Sequence, residues 1–162
     1  RESLKILCHN RRVFQGNNLY SKGACYAGME KLNPQESTRE YVYLGEDKLK
    51  SNIGMRALRR GEDSYLAILD AGVNWYEAKT DFDLILESGN VLCFTITPLT
   101  GENIMDKTVT LDGLPERPRC TTRLRIHAEM TAIHTLTLEI TDMGFGELFK
   151  SSGRAWTHTL QV

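Results

Sequence analysis

No stretch of the sequence approaches the ~18 apolar residues that a membrane-spanning helix requires. The longest apolar runs are only a few residues long, so no membrane partner is expected. A basic excess is also missing, with Lys+Arg 20 against Asp+Glu 21 and a formal net charge of -1. Binding to phosphate backbones needs such an excess, and nucleic acid is excluded as a dedicated partner. The four cysteines, Cys8, Cys25, Cys93 and Cys120, are scattered without a Cys-x-x-Cys spacing, which signals neither a zinc site nor a redox pair. They read as reduced thiols of a cytoplasmic protein. The N-terminus sets Arg1, Lys5, Arg11 and Arg12 around the short apolar run Ile6-Leu7-Cys8, which falls short of a secretory signal. There is no Gly-x-Gly-x-x-Gly or Walker loop and no Gly-x-Ser-x-Gly. No enzyme, catalytic residue or metal site is expected of this chain.

What the sequence does contain is enough for one domain and a short appendage: 162 residues, 41% hydrophobic and 25% charged. Its start at Arg1 rather than Met suggests a fragment or trimmed chain. Residues 1–35 read differently from the rest. Leu4, Leu7 and Cys8 fall at helical spacing, and Arg12-Val13-Phe14 is a short apolar run. A second helix is predicted from about Leu19 to Lys31, with Asn17 or Asn18 as cap and Asn33-Pro34 as stop. Gly23 and Gly28 inside it point to helix packing ahead of a close approach by backbone or ligand. The polar stretch around Pro34 marks a boundary, and the linker is placed at residues 36–50.

Beyond that boundary the hydrophobic period changes to two. Tyr65, Ala67 and Leu69 alternate with their neighbours, as do Phe82, Leu84 and Leu86, and Leu92, Phe94 and Ile96. Further strands are predicted at 108–111, 122–130, 135–141 and 155–162, and turn residues bound them at the spacing of an antiparallel β-sandwich over 51–162. The chain is therefore mainly β, with a short helical N-terminal segment. One hairpin can be registered from pattern alone. Leu124, Ile126, Ala128 and Met130 share a face with Leu136, Leu138 and Ile140, so an odd number of residues must connect them. Ala132-Ile133-His134 fits a three-residue loop, and His127 then lies opposite Glu139. The two histidines do not converge on a metal, and Asp81 and Asp83 read as solvent-facing acids.

Leu111-Asp112-Gly113-Leu114-Pro115-Glu116-Arg117-Pro118-Arg119, followed at once by an alternating strand, resembles the β-domain of the seventy-kilodalton heat-shock chaperones, the DnaK-like family. Asn52-Ile53-Gly54-Met55, Phe94-Thr95-Ile96 with Thr100-Gly101-Glu102, and Asp142 resemble further family positions in the same order. Asn18 to Met29, with Gly23-Ala24, is similar to the last helix of the family's actin-like ATPase domain. The resemblance implies that residues 1–35 are the remnant of an upstream ATPase domain, which would bind ATP and Mg, while this chain itself holds no cofactor. Tyr41, Val42, Tyr43 and Leu44 would correspond to the interdomain linker of a divergent bacterial relative.

The same resemblance implies a channel for an extended apolar peptide or protein client, lined by Met55, Ala57, Leu58, Glu87, Phe94 and Ile96. Leu58 and Glu87 take the two arch positions, on loops 56–61 and 86–91, and Phe94 floors the central pocket. A Phe fills much of a pocket meant for a Leu-sized side chain, so the channel is expected to be narrow. The family's helical lid has no counterpart before Val162. The expected function is chaperone-like peptide or protein binding by a lidless sandwich coupled to its own upstream ATPase domain. The alternative is a structural or regulatory sandwich that docks on that domain or on a partner, with a closed cleft. A weaker third reading is a carbohydrate platform made by Trp75 and Tyr76.

Overall fold

The computed structural model describes residues 18–33, 44–101 and 103–162. The chain divides into two compact units, Arg1–Val42 and Tyr43–Val162. In the first, helix α1 spans Leu19–Leu32, preceded by Asn18 and closed by the Asn33 N–H donating to the Met29 carbonyl. Apart from the chain neighbours and the helix's own backbone, no described atom comes within 4 Å of a Cβ added at Gly23 or Gly28. The helix and strand read within residues 2–14 lie outside the described residues, as do Tyr41, Val42 and Tyr43 of the linker reading.

Among the described residues the second unit is a β-sandwich of eight strands: β1 Ser51–Arg59, β2 Glu62–Leu69, β3 Lys79–Leu86, β4 Val91–Pro98, β5 Met105–Thr110, β6 Thr122–Ala132, β7 Thr135–Gly144 and β8 Ala155–Gln161. They form two four-stranded sheets, ordered β2-β1-β4-β5 and β3-β6-β7-β8. Every pairing is antiparallel. The period-two sequence pattern sends one face of each strand inward. Ile53, Leu92, Phe94, Leu124, Ile126, Ala128, Leu136, Leu138 and Ile140 are buried there and form the core.

The sandwich begins earlier than the alternating pattern places it. Leu49 is buried, its N–H donates to the Val73 carbonyl at 2.9 Å, and its own carbonyl accepts from Gly72 at 2.8 Å. Residues 47–49 are thereby stitched to the β2–β3 connection instead of trailing as linker, and Leu44 is half-buried. The β6–β7 hairpin keeps the predicted parity and places His127 opposite Glu139. Its three-residue loop, however, resolves into a two-residue turn at Ile133-His134 plus a bulge between Met130 and Ala132. The extra residue is Thr131, whose hydroxyl lies 2.9 Å from that of Thr137.

Candidate functional site

β1 is a strand with two halves. Ser51 to Gly54 pair with Pro98 to Thr95 of β4, and the register ends there. From Met55 to Arg59 the strand pairs only with β2, closing through the tight turn at Arg60-Gly61. Both turn residues have positive φ, 58° and 86°, the geometry of a hairpin turn whose twist matches its strands. The parting point coincides with a bulge: Ile53 faces Leu69, but Gly54 faces Ala67, leaving Ile68 as the extra residue on β2. A bulge bends and twists its strand, which aims the hairpin away from β4. It also explains why Ile68 and Leu69 are both buried although adjacent in a strand. Gly54 is required here, because a Cβ would run into the Tyr65 ring and sit 2.6 Å from the Leu66 carbonyl oxygen. Burial against this crossing raises the Tyr65 hydroxyl above its usual pKa; the Asp70 charge adds to this, and a hydrogen bond with Thr97 opposes it.

The ladder alternation fixes which backbone groups the split leaves bare. The Leu99 N–H donates to the Lys50 carbonyl, so even-numbered residues of β1 point their N–H and C=O toward β4. Arg56 and Leu58 therefore direct theirs into the split. On β4 the Leu111 N–H donates to the Asn90 carbonyl, so even-numbered residues serve β5 and Val91 and Cys93 point toward β1. These four residues have no ladder partner on that side. Their side chains are exposed, Leu58 at 58% and Val91 at 47%. The result is a slot with two parallel rows of free backbone groups and two apolar side chains at its lips.

Of the residues named from the sequence, Met55, Ala57 and Leu58 lie on the free half of β1, and Phe94 and Ile96 lie on β4. Met55 is 5% exposed, while Phe94 and Ile96 have no exposed surface. The Phe94 side chain is packed in the core. Glu87 sits in the β3–β4 loop and forms an ion pair with Arg119, both side chains largely in solvent. Its carbonyl accepts from Cys120 at 2.9 Å, which ties that loop to the 111–120 segment. A cavity of about 420 Å³ lies between the loop and residues 114–118. Trp75 and Tyr76 stand edge to face at 85°, which is not a coplanar platform for a sugar.

The segment that carried the resemblance is clamped by a buried ion pair. Arg117 Nη1 and Nη2 donate to Asp142 Oδ1 and Oδ2 at 2.8 and 2.7 Å, and Nη2 also donates to the Lys150 carbonyl. The backbone N–H groups of Gly144 and Ser152 donate to the same carboxylate. The Arg117 hydrogen bonds, helped by these backbone donors, hold the Asp142 carboxyl far below the usual carboxylate range despite its burial. On the outer face of the second sheet, Arg125 pairs with Asp83 and His127 with Asp81, so the two acids of β3 are cross-strand partners.

Sequence reasoning missed the backbone slot, because free N–H and C=O groups leave no mark on side-chain pattern. One signal was available in Gly54, since an isolated glycine inside a strand pattern marks a bulge or close approach. Among the described residues no group of three or more His, Cys, Asp or Glu is arranged to hold a metal, and no helix is long and apolar enough to cross a membrane.

The model of a family described as Domain of unknown function (DUF8552) matches residues 48–162. A second, described as Family of unknown function (DUF5716) C-terminal, matches residues 1–46. No curated protein matches the chain.

Proposed function

The chain belongs to the DUF8552 family, and we propose that its sandwich binds an extended polypeptide segment in the slot between β1 and β4, as a chaperone-like module. The observation that carries this reading is the end of β1–β4 pairing at Gly54, which leaves Arg56, Leu58, Val91 and Cys93 without ladder partners. An extended peptide satisfies such rows by strand addition, gaining affinity from main-chain hydrogen bonds and selectivity from the side chains beside it. The exposed Leu58 and Val91 favour an apolar client. The resemblance of the 111–119 segment to the chaperone β-domain supports the same reading, and coupling to an upstream ATPase domain would follow from it.

The buried Phe94 and Ile96 favour shallow binding without a deep side-chain pocket. Losing the burial of one Leu-sized side chain weakens a complex by roughly 1.5 to 3 kcal/mol, about ten- to a hundredfold. The same burial favours a second reading, a closed sandwich that docks on its own ATPase domain or a partner protein. Fluorescence-anisotropy titration of a Leu-rich peptide separates the two. The chain should bind the peptide. Leu58→Pro, which removes an N–H aimed into the slot and leaves β1–β2 bonds intact, should weaken binding, and Phe94→Val should tighten it. If the wild type and Phe94→Val both stay folded and neither binds at high micromolar concentration, the docking reading stands instead.

A further inference from the structure

The two sheets have four edge strands, and three of them carry features that discourage pairing with another chain. β2 holds Glu62, Asp63 and the bulge, β5 holds Asp106 and Lys107, and β3 holds Lys79, Asp81 and Asp83. Charged side chains and bulges are the usual means by which natural sheets protect their edges. β8, with the sequence Ala-Trp-Thr-His-Thr-Leu-Gln, contains no Asp, Glu, Lys, Arg or Pro, and its register with β7 is unbroken. Among the described residues nothing pairs with its outer side.

The direction of its free groups follows from two hydrogen bonds. The Val162 N–H donates to the His134 carbonyl and the Asp142 N–H to the Arg154 carbonyl, so even-numbered residues of β8 serve β7. Ala155, Thr157, Thr159 and Gln161 present their N–H and C=O outward. We infer that this edge is a homodimer interface, in which β8 pairs antiparallel with β8 of a second copy and joins the two four-stranded sheets into one.

Full overlap of the strand sets the register. Ala155 faces Gln161 and Thr157 faces Thr159 as hydrogen-bonded pairs; Trp156 faces Leu160, and His158 faces its own copy on the twofold axis. No opposed pair sets an Asp, Glu, Lys or Arg against a like charge, as a self-pairing edge requires. The half-buried inward side chains Trp156 and Leu160 gain cover from the partner strand. The His158 Nε2 atom is buried and has no hydrogen-bond partner in the single chain. The chain itself already covers that atom, so it takes no part in the pairing. Among the described residues each chain has one such edge, so the pairing closes after two copies.

Sedimentation equilibrium of the full chain over a concentration series tests this. The wild type should fit a monomer–dimer equilibrium. Thr157→Pro and, separately, Thr159→Pro remove outward N–H groups without touching β7 bonds, and each should raise the dimer Kd at least about tenfold while circular dichroism stays unchanged. Opposed residues in a non-hydrogen-bonded pair have Cα atoms about 4.5 Å apart, within disulfide reach. Oxidised His158→Cys should therefore show, by peptide mapping, a link between the two 158 positions. A wild type that stays monomeric at several hundred micromolar overturns the inference. So does a dimer insensitive to both proline variants, a dimer without the 158–158 link, an open-ended assembly, or unfolding of both proline variants, which would mean those N–H groups serve β7.

Discussion

Replacing Arg117 by methionine leaves a carboxylate buried without its counter-charge. The Asp142 side chain has no exposed surface and Arg117 only 6%. Two of the donors on that carboxylate belong to Arg117, and the Gly144 and Ser152 N–H groups remain after the substitution. Removing one partner of such a pair costs about 3–5 kcal/mol, because the other charge stays desolvated. For a domain of this size that lowers Tm by roughly 10–25 °C. Urea and thermal unfolding followed by circular dichroism at pH 7 measure it.

The pH dependence supplies the sign. A carboxyl held below its ordinary value contributes stability that is present above about pH 4 and is lost as pH falls toward the depressed value. Arg117→Met removes the main cause of the depression, so the gap between wild type and variant should be widest at neutral pH and narrow below about pH 4. The double substitution Arg117→Met with Asp142→Leu should recover part of the loss, since no buried charge is left, while the Gly144 and Ser152 N–H groups lose their acceptor. A single variant within about 1 kcal/mol of wild type at pH 7, or a gap constant from pH 7 to pH 3, would refute this account of the clamp.

Hydrogen bonding to Asp81, at 2.8 Å, and then to Glu129 raises the pKa of His127, so its contribution is full below the ordinary value and is lost as pH rises through the folded one. With both partners partly in solvent, the effect is below about 1 kcal/mol; wild type should lose this increment on going from pH 6 to pH 8, and His127→Gln should not, in matched urea titrations. Gly54→Val places new atoms against the Tyr65 ring and the Leu66 carbonyl, and should cost about 1–3 kcal/mol in the same assay. Combining it with Tyr65→Ala should restore only part, because the backbone contact at 2.6 Å stays; an unchanged urea midpoint for Gly54→Val alone would show that the crossing at Gly54 is not tight.

The sandwich was legible because burial alternates with sequence in β6 and β7, where Leu124 to Met130 and Leu136 to Ile140 face one core. Even the parity of the connection could be deduced, and only its division into turn and bulge could not, since Thr131 looks like any polar loop residue. Leu49 was hidden inside a polar stretch, where one apolar residue makes no period. Leu58 was named only through the resemblance, and its place beside the unpaired stretch depends on where β1 parts from β4. That point is set by a bulge whose extra residue, Ile68, looks like an ordinary strand residue. The Arg117–Asp142 pair joins residues far apart in sequence, and neither shows in isolation that the other will neutralise it.

The β1–β2 hairpin is attached to its sheet like a diving board. Its root is the paired stretch Ser51 to Gly54, and its free length runs five residues further, to Arg59. At ~3.4 Å per residue that is an arm of roughly 17 Å. A tilt of about 10° at the root then swings the tip by roughly 3 Å, comparable to the spacing of successive residues along a strand. Such a tilt breaks no bond of the β1–β2 ladder, since both strands move together. The spacing of the two unpaired rows thus follows from where pairing stops at Gly54, a dependence that a sheet with uninterrupted pairing across β1 and β4 would not have.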